Sequence, residues 1–363
     1  MSKRWVPTLD WLLVLVPVTI GAHFLYPLEH TLIFFLAALA IIPLAGLMGK
    51  STETLADHTG EAVGGLLNAT FGNAAELIIA LAALQKGLHD VVKASITGSI
   101  IGNILLVLGA AFLVGGIRHK EQRFNAAGAR SQATMLTLAA IALVLPAAYH
   151  HLGGREALLH EGGMSREISV ILLATYGLGL LFSLRTHKHL FTGHCEKAHP
   201  REHTSQSRRA LLRSLAVLAV ATILTAWISE ILVGSIEHAA HALGMTGVFV
   251  GVIVVAVIGN AAEHSTAVIA AQKDRMDLSL TIAQGSSIQI ALFVAPLIVV
   301  LSTFVGPRTM DLVFTIPEVL AVVVSVYIVG QVTSDGESNW LEGVQLLSVY
   351  AILALVFYFL PAH

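Results

Sequence analysis

Long apolar runs alternate with short polar breaks along nearly the whole chain. They fall near 9–27, 30–49, 60–86, 91–116, 129–150, 166–186, 209–234, 245–272, 276–304, 310–333 and 340–361. At about 20 residues per crossing, each reads as a transmembrane helix, so the pattern predicts an all-α polytopic membrane protein of eleven helices. The first run follows Lys3 and Arg4 in the manner of a signal sequence. No small-residue cleavage site follows and more spans come at once, so it reads as a retained helix. One stretch departs from the pattern. Residues 187–208 are polar and carry His187, His189, His194, His199, His203 and Cys195. Clustered imidazoles can bind transition metals, but no closed-site spacing occurs, and the stretch reads first as a solvated cytoplasmic linker.

A second pattern lies over the first. Residues 64–109 align without a gap against 251–296 at a constant offset of 187, with 17 of 46 positions identical. The chain therefore divides into an extra N-terminal helix (1–29), a five-helix repeat (30–186), the His-rich linker (187–208) and a second five-helix repeat (209–363). Five is odd, so the two repeats must insert with opposite topology. Loop charge agrees with this division. With the N-terminus cytoplasmic and the C-terminus outside, 16 Lys and Arg residues fall on the cytoplasmic side. Five (Lys86, Lys93, Arg155, Arg166 and Arg308) fall on the other, as the positive-inside rule expects. Lys86 and its counterpart Lys273 land on opposite sides.

Composition narrows the class further. Hydrophobic residues make up 55% and charged residues 12%, with mean hydropathy +0.78, too little charge for the surface of a water-soluble globule. A net charge of −2 gives no basic bias towards nucleic acid, and the lone Cys195 cannot form an intrachain disulfide. No nucleophile motif, phosphate loop or metal-hydrolase signature occurs, so the reading is a transporter without a cofactor, its partners being the bilayer and the transported ions.

The chemistry concentrates in the repeat. Gly-Asn-Ala-Ala-Glu occurs at 72–76 and again at 259–263, each followed 26 residues later by a Gly-Ser pair, Gly98-Ser99 and Gly285-Ser286. Glu76 lies 10 residues before Lys86, and Glu263 lies 10 before Lys273. At about 1.5 Å per helical residue this places both near the midplane. A charge there costs at least ~2.5 kcal/mol, so both must face an interior cavity or be neutralised. Asn73 and Asn260 share a helix face with the glutamates, and Gly72 and Gly259 are positions where a helix can kink and release carbonyls. Ser99, Asn103, Ser286 and Gln289 add oxygen ligands from the following helices, although the counterparts of Asn103 and Gln289 are Ile290 and Gly102. Hard oxygen donors favour Ca²⁺ or Mg²⁺. Small residues and Asn in membrane helices also serve close packing, and serines can bond back to their own helices; the duplication in register favours a site. His264 reads equally as a structural histidine and as a gate or proton relay. Glu53, Asp57, His58 and Glu61 form either an acidic vestibule or a solvated loop, and spacing alone assigns no role to Glu230, Glu318 or Glu342.

These residues carry a resemblance. The stretch from Gly64 to Glu76, the second Gly259-Asn-Ala-Ala-Glu-His264, and Asp335-Gly-Glu-Ser-Asn-Trp-Leu-Glu-Gly343 resemble the cation/proton exchanger (CAX) branch of the Ca²⁺/cation antiporter superfamily. The resemblance implies an eleven-helix antiporter with Ca²⁺ held between Glu76 and Glu263, and a trimer as the assembly. Sodium-coupled relatives carry a further acidic residue where this chain has Ile290. With two carboxylates only, one Ca²⁺ or two protons neutralise the cavity, whereas an empty, doubly negative site cannot cross the barrier cheaply. That predicts Ca²⁺/H⁺ exchange by alternating access, with helices two and seven as the moving part. The alternatives are a sodium-coupled exchanger of the same fold and a divalent-cation channel. The short N-terminus without a targeting extension points to a bacterial plasma membrane.

Overall fold

The computed structural model describes residues 9–59, 67, 70–187 and 208–361. Glu61 and linker residues 188–207 lie outside the described residues, as do the side chains of Asp57 and His58. Each predicted run holds a helix. Along the chain these are α1 (Leu15–Leu25), α2 (His30–Thr59), α3 (Ala74–Gln85), α4 (His89–Arg118), α5 (Ala126–Leu152), α6 (Gly154–Leu181) and α7 (Arg208–Ala242), followed by α8 (Gly247–Gly259), α9 (Ala261–Gln272), α10 (Met276–Leu301), α11 (Ile316–Val332) and α12 (Trp340–Phe359). Among the described residues, seven helices are long and apolar enough to cross a membrane: α2, α4, α5, α6, α7, α10 and α12. The pair α8 and α9, bent by 60° at Asn260, brings the number to eight if counted as one span. Near α1, at α3 and at α11 the helices are apolar but shorter.

The largest extensions fall at two boundaries. α2 continues to Thr59 rather than stopping near 49, which puts Glu53 on an exposed helical face, and α6 begins at Gly154 rather than near 166. Hydropathy marks where a helix leaves an apolar environment, whereas backbone hydrogen bonding continues into water at little cost. α4 and α10 are the interior helices: 72% of the apolar window of each is buried, against 17% for α6 and α12. The outer helices turn residues such as Val170, Ile171, Leu178, Ile352 and Leu355 outward, as a lipid-facing surface requires.

The sequence offset of 187 reappears in the elements. α3 and α9 begin and end at matching positions, and so do the starts of α4 and α10. The intervening turns match as well, with positive φ at Gly87 (74°) and at its counterpart Asp274 (57°). Asp tolerates this region better than most residues, and here Gln122 Nε2 donates to its carboxylate at 2.8 Å. The two turns meet different neighbours. A Cβ on Gly306 would come 2.7 Å from the Leu84 carbonyl oxygen, and one on Gly87 would come 3.0 Å from Pro307. The second turn instead meets the segment after α4: Gln122 Nε2 also donates to the Ala271 carbonyl at 2.9 Å, and the Asn125 amide donates to Asp277 at 2.7 Å. That segment forms a two-residue strand, β1 (Gln122–Arg123), antiparallel to β2 (Glu337–Ser338) before α12. The segment after α10 is held by Lys93 against Asp311 at 2.6 Å and by Arg308 Nε donating to His89 Nδ1 at 2.7 Å.

α2 and α7 lie against each other. Thr225 Oγ1 on α7 contacts Met48 Sδ on α2 at 3.4 Å, and the rings of His30 and His238 stack with centroids 4.2 Å apart.

Candidate functional site

Asn73 and Asn260 occupy the N-cap positions of α3 and α9, with non-helical dihedrals of −106°/34° and −92°/3°. Glu76 and Glu263 therefore stand in the first turns of two half-helices. There the unpaired backbone N–H groups and the positive end of the helix dipole favour negative charge. The sequence expectation of a break at the second motif glycine holds: Gly259 ends α8 where the 60° bend falls. The two motifs also touch. A Cβ on Gly259 would lie 3.1 Å from Glu76 Oε1 and 3.5 Å from its Cγ and Cδ, so the first carboxylate rests on the backbone of the second motif. Gly72 lies in the turn immediately before Asn73.

The polar side chains around them are arranged unequally. Asn260 is fully engaged: its Nδ2 donates to Ser99 Oγ at 3.0 Å and to the Ala256 carbonyl at 3.0 Å, and its Oδ1 accepts from Asn103 Nδ2 at 3.4 Å. Asn103 Oδ1 in turn accepts from His264 Nε2 at 3.1 Å, which ties His264 into the polar cluster rather than leaving it on the far side of its helix. Ser286 Oγ donates to Glu263 Oε2. Asn73 is only 1% exposed, yet neither of its side-chain polar atoms has a hydrogen-bond partner among the described residues. A buried, unpaired amide costs about 1–3 kcal/mol. The Nε2 of buried Gln289 is likewise unpaired among the described residues.

Thus direct contacts join Glu76 to Gly259, Asn260 to Ser99 and Asn103, Asn103 to His264, and Ser286 to Glu263. Asn73 lies one turn from Glu76 on α3. Among the described contacts, no hydrogen bond joins Ser99 or Gln289 to either carboxylate. No group of three or more His, Cys, Asp or Glu side chains that could hold a metal occurs among the described residues, so a cation here would complete its shell with amide, hydroxyl and backbone oxygens. Such a donor set suits a hard divalent ion.

Several working parts had no reading in the sequence. π-helical turns interrupt the helices at Gly102–Val107, Val250–Val255 and Ile290–Val294, all flanking the site, where such turns are frequent. A Cβ on Gly98 would overlap the Val252 carbonyl oxygen, and one on Gly251 would meet Ala94 Cβ at 2.7 Å. These glycines let α4 and α8 touch backbone to backbone. Ser287 Oγ donates to the carbonyl of Ile100, its own counterpart at offset 187, at 3.1 Å. The late acidic residues are helix caps. Glu318 Oε2 accepts from the Thr315 amide and hydroxyl at 2.9 and 2.7 Å, and Glu342 Oε2 accepts from the Asn339 amide at 3.1 Å. Thr315-x-x-Glu318 and Asn339-x-x-Glu342 carry the capping-box spacing, so that signal was available in the sequence.

The two acidic half-helices thus sit in a helical fold whose long apolar helices suit a membrane protein, and comparison with known proteins gives the class, a transporter of the antiporter kind rather than an enzyme. The chain matches the family described as sodium/calcium exchanger protein over residues 29–185 and 213–359, and it belongs to that family, in its cation/proton exchanger branch. It is 48% identical over 363 residues to the "Ca(2+)/H(+) antiporter" of Synechocystis sp., covering 96% of each chain. It is 42% identical over 348 residues to the "Ca(2+)/H(+) antiporter ChaA" of Bacillus subtilis, covering 95% of this chain and 97% of that one. The fold resembles the solved structure of native YfkE, with a TM-score of 0.83 and 38% identity over 97% of this chain and all of that one.

Proposed function

We propose that this chain exchanges Ca²⁺ for H⁺ across a membrane by alternating access, with Glu76 and Glu263 as the groups that take up Ca²⁺ and protons in turn. The observation that carries this reading is the contact of Glu76 with Gly259, which joins the two acidic motifs in one site. Asn73, Asn260, Ser99 and Ser286, with carbonyls released at Gly72 and Gly259, complete the oxygen donors; Asn103, Gln289 and His264 stand behind them. Two carboxylates carry two charges, so one Ca²⁺ or two protons give a neutral site, and only a neutral site crosses a low-dielectric barrier cheaply. That makes exchange obligatory.

The architecture we propose is one N-terminal helix (1–29) followed by two inverted five-helix repeats (30–186 and 209–363), eleven spans in all. The three shorter apolar helices would complete the count beyond the eight. The different neighbours of the Gly87 and Asp274 turns support inversion, because matching turns would then lie at opposite membrane faces. The N-terminus would be cytoplasmic and the C-terminus outside, in a bacterial plasma membrane. α2 and α7 would move against the core, as in transporters built from inverted repeats. The relatives' names support H⁺ as the coupling ion, and so does Ile290, an apolar, 1% exposed residue where sodium-coupled exchangers are expected to carry an acid.

The test is ⁴⁵Ca²⁺ uptake into proteoliposomes under an imposed pH gradient, compared with an equal Na⁺ gradient. Uptake driven by protons and lost in Glu76→Gln and Glu263→Gln is the expected result. Uptake driven only by Na⁺ would overturn the choice of ion, and uptake with no gradient of either would indicate a channel.

A further inference from the structure

A cavity of about 340 Å³ lies apart from the two glutamates, between the turn joining α1 to α2, the end of α3 and the second half of α7. Its volume lies within the range of small-molecule sites, about 300–1,000 Å³. Its lining has three kinds of chemistry. Lys86, His23 and His30 offer an ammonium and two imidazoles, Glu230 offers a carboxylate, and Phe24 and Trp227 form an apolar edge. Two devices fix the polar side. Lys86 Nζ donates to the Glu230 carbonyl at 3.1 Å, an approach for which Gly234 leaves room, since a Cβ there would stand 2.7 Å from that nitrogen. His30 is held by its stack on His238 of α7.

The surroundings indicate where an occupant would come from. Leu25, Tyr26 and Leu28, in the turn beside the cavity, are 73%, 60% and 87% exposed, and Phe24 is 68% exposed. Helix ends carrying Trp, Tyr and Lys beside exposed aliphatic residues mark the boundary between the hydrocarbon and headgroup layers. A water-soluble anion has no use for such a collar; a lipid with acyl chains does. Glu230 adds a constraint, because a carboxylate within the lining repels a purely anionic ligand and attracts one that carries an ammonium as well.

We propose that this cavity binds the zwitterionic phosphoethanolamine headgroup of a phospholipid, its phosphate at Lys86, His23 and His30, its ammonium at Glu230, and its chains along Phe24 and Trp227. Charged hydrogen bonds to phosphate from Lys, and from ammonium to carboxylate, are the strong kind. The bound lipid would bridge α7, the start of α2 and the end of motif helix α3.

The full-length protein, extracted from membranes and purified, would be loaded in detergent with dioleoyl-phosphatidylethanolamine or dioleoyl-phosphatidylglycerol and weighed by native mass spectrometry. One retained phosphatidylethanolamine per chain, at least tenfold above phosphatidylglycerol, is expected. Lys86→Met should lower retention of both lipids about tenfold, while Lys86→Arg should retain them. Glu230→Gln, at an exposed position on α7, should remove the preference by lowering phosphatidylethanolamine retention and raising that of phosphatidylglycerol, and it remains informative if Lys86→Met does not fold. Equal retention of the two lipids by the parent protein, a preference unchanged in Glu230→Gln, or displacement of lipid by millimolar soluble phosphoethanolamine would each overturn the proposal.

Discussion

Gly98 and Gly285 stand at equivalent positions of the repeat, so sequence symmetry predicts equal consequences for replacing either with alanine. The structure predicts opposite ones. A Cβ at 98 would lie 2.6 Å from Val252 Cα as well as overlapping its carbonyl oxygen, whereas ordinary contact begins at 3.4 Å. α4 and α8 must therefore separate by about 0.8 Å or more. The nearby Asn260–Ser99 hydrogen bond of 3.0 Å would stretch beyond bonding range. Overpacking of this kind costs about 1–3 kcal/mol, and the lost buried bond about 1–3 kcal/mol more. At Gly285 nothing lies within 4 Å of the new Cβ. Replacing a helical glycine there gains up to about 1 kcal/mol of helix propensity. The assay is the fraction of each detergent-solubilised variant that remains monodisperse after heating, with ⁴⁵Ca²⁺ flux measured in parallel. Gly98→Ala should melt well below the parent and transport poorly, while Gly285→Ala should melt at or above it with flux retained. Equal melting of the two variants would refute the argument from close approach.

Gly259→Ala should fold but displace the Glu76 carboxylate by a few tenths of an ångström, because its Cβ would stand 3.1 Å from Oε1; a roughly tenfold rise in the Ca²⁺ concentration for half-maximal flux, about 1.4 kcal/mol, is expected, and an unchanged value would count against the contact. Ser286→Ala removes the hydroxyl that donates to Glu263, a charged hydrogen bond worth about 1.5–3 kcal/mol, and should weaken Ca²⁺ dependence ten- to hundredfold in the same assay. Asn103→Ala leaves Asn260 Oδ1 and His264 Nε2 without their partner, so its thermal midpoint should fall further than that of His264→Gln, which can still present an amide N–H. Asn339→Ala deletes the cap that accepts from the Leu341 and Glu342 amides and should cost about 1 kcal/mol of stability with transport retained, read by melting and flux together.

Hydropathy revealed the helices because lipid demands apolar surface along each span, and it missed their ends because it does not register hydrogen bonding in water; the extensions of α2 to Thr59 and α6 back to Gly154 are both of this kind. The acidic pair was legible because Gly-Asn-Ala-Ala-Glu occurs twice in register. The linkage of Asn103 to Asn260 and of His264 to Asn103 was not, since residues some 160 positions apart meet only through the crossing of α4 with α8 and α9, and no local spacing encodes a crossing. The π turns escaped for a related reason: one extra residue in a helical turn leaves composition unchanged. Glu318 and Glu342 drew no role although their capping spacing lay in view, because both fall in or near apolar runs whose helix starts hydropathy does not mark.

The unequal fates of Asn73 and Asn260 carry a consequence of their own. Under the proposed two-fold relation every contact has an image at offset 187. The Asn260–Ser99 bond maps onto Asn73–Ser286, and the seat of Glu76 on Gly259 maps onto Glu263 on Gly72. The first of these bonds is made and its image is not, since neither polar atom of the Asn73 side chain has a hydrogen-bond partner among the described residues. Matching residues thus stand in different bonding states, so in this conformation an alanine at 260 has three hydrogen bonds to lose, whereas one at 73 removes an unpaired amide and should cost far less stability.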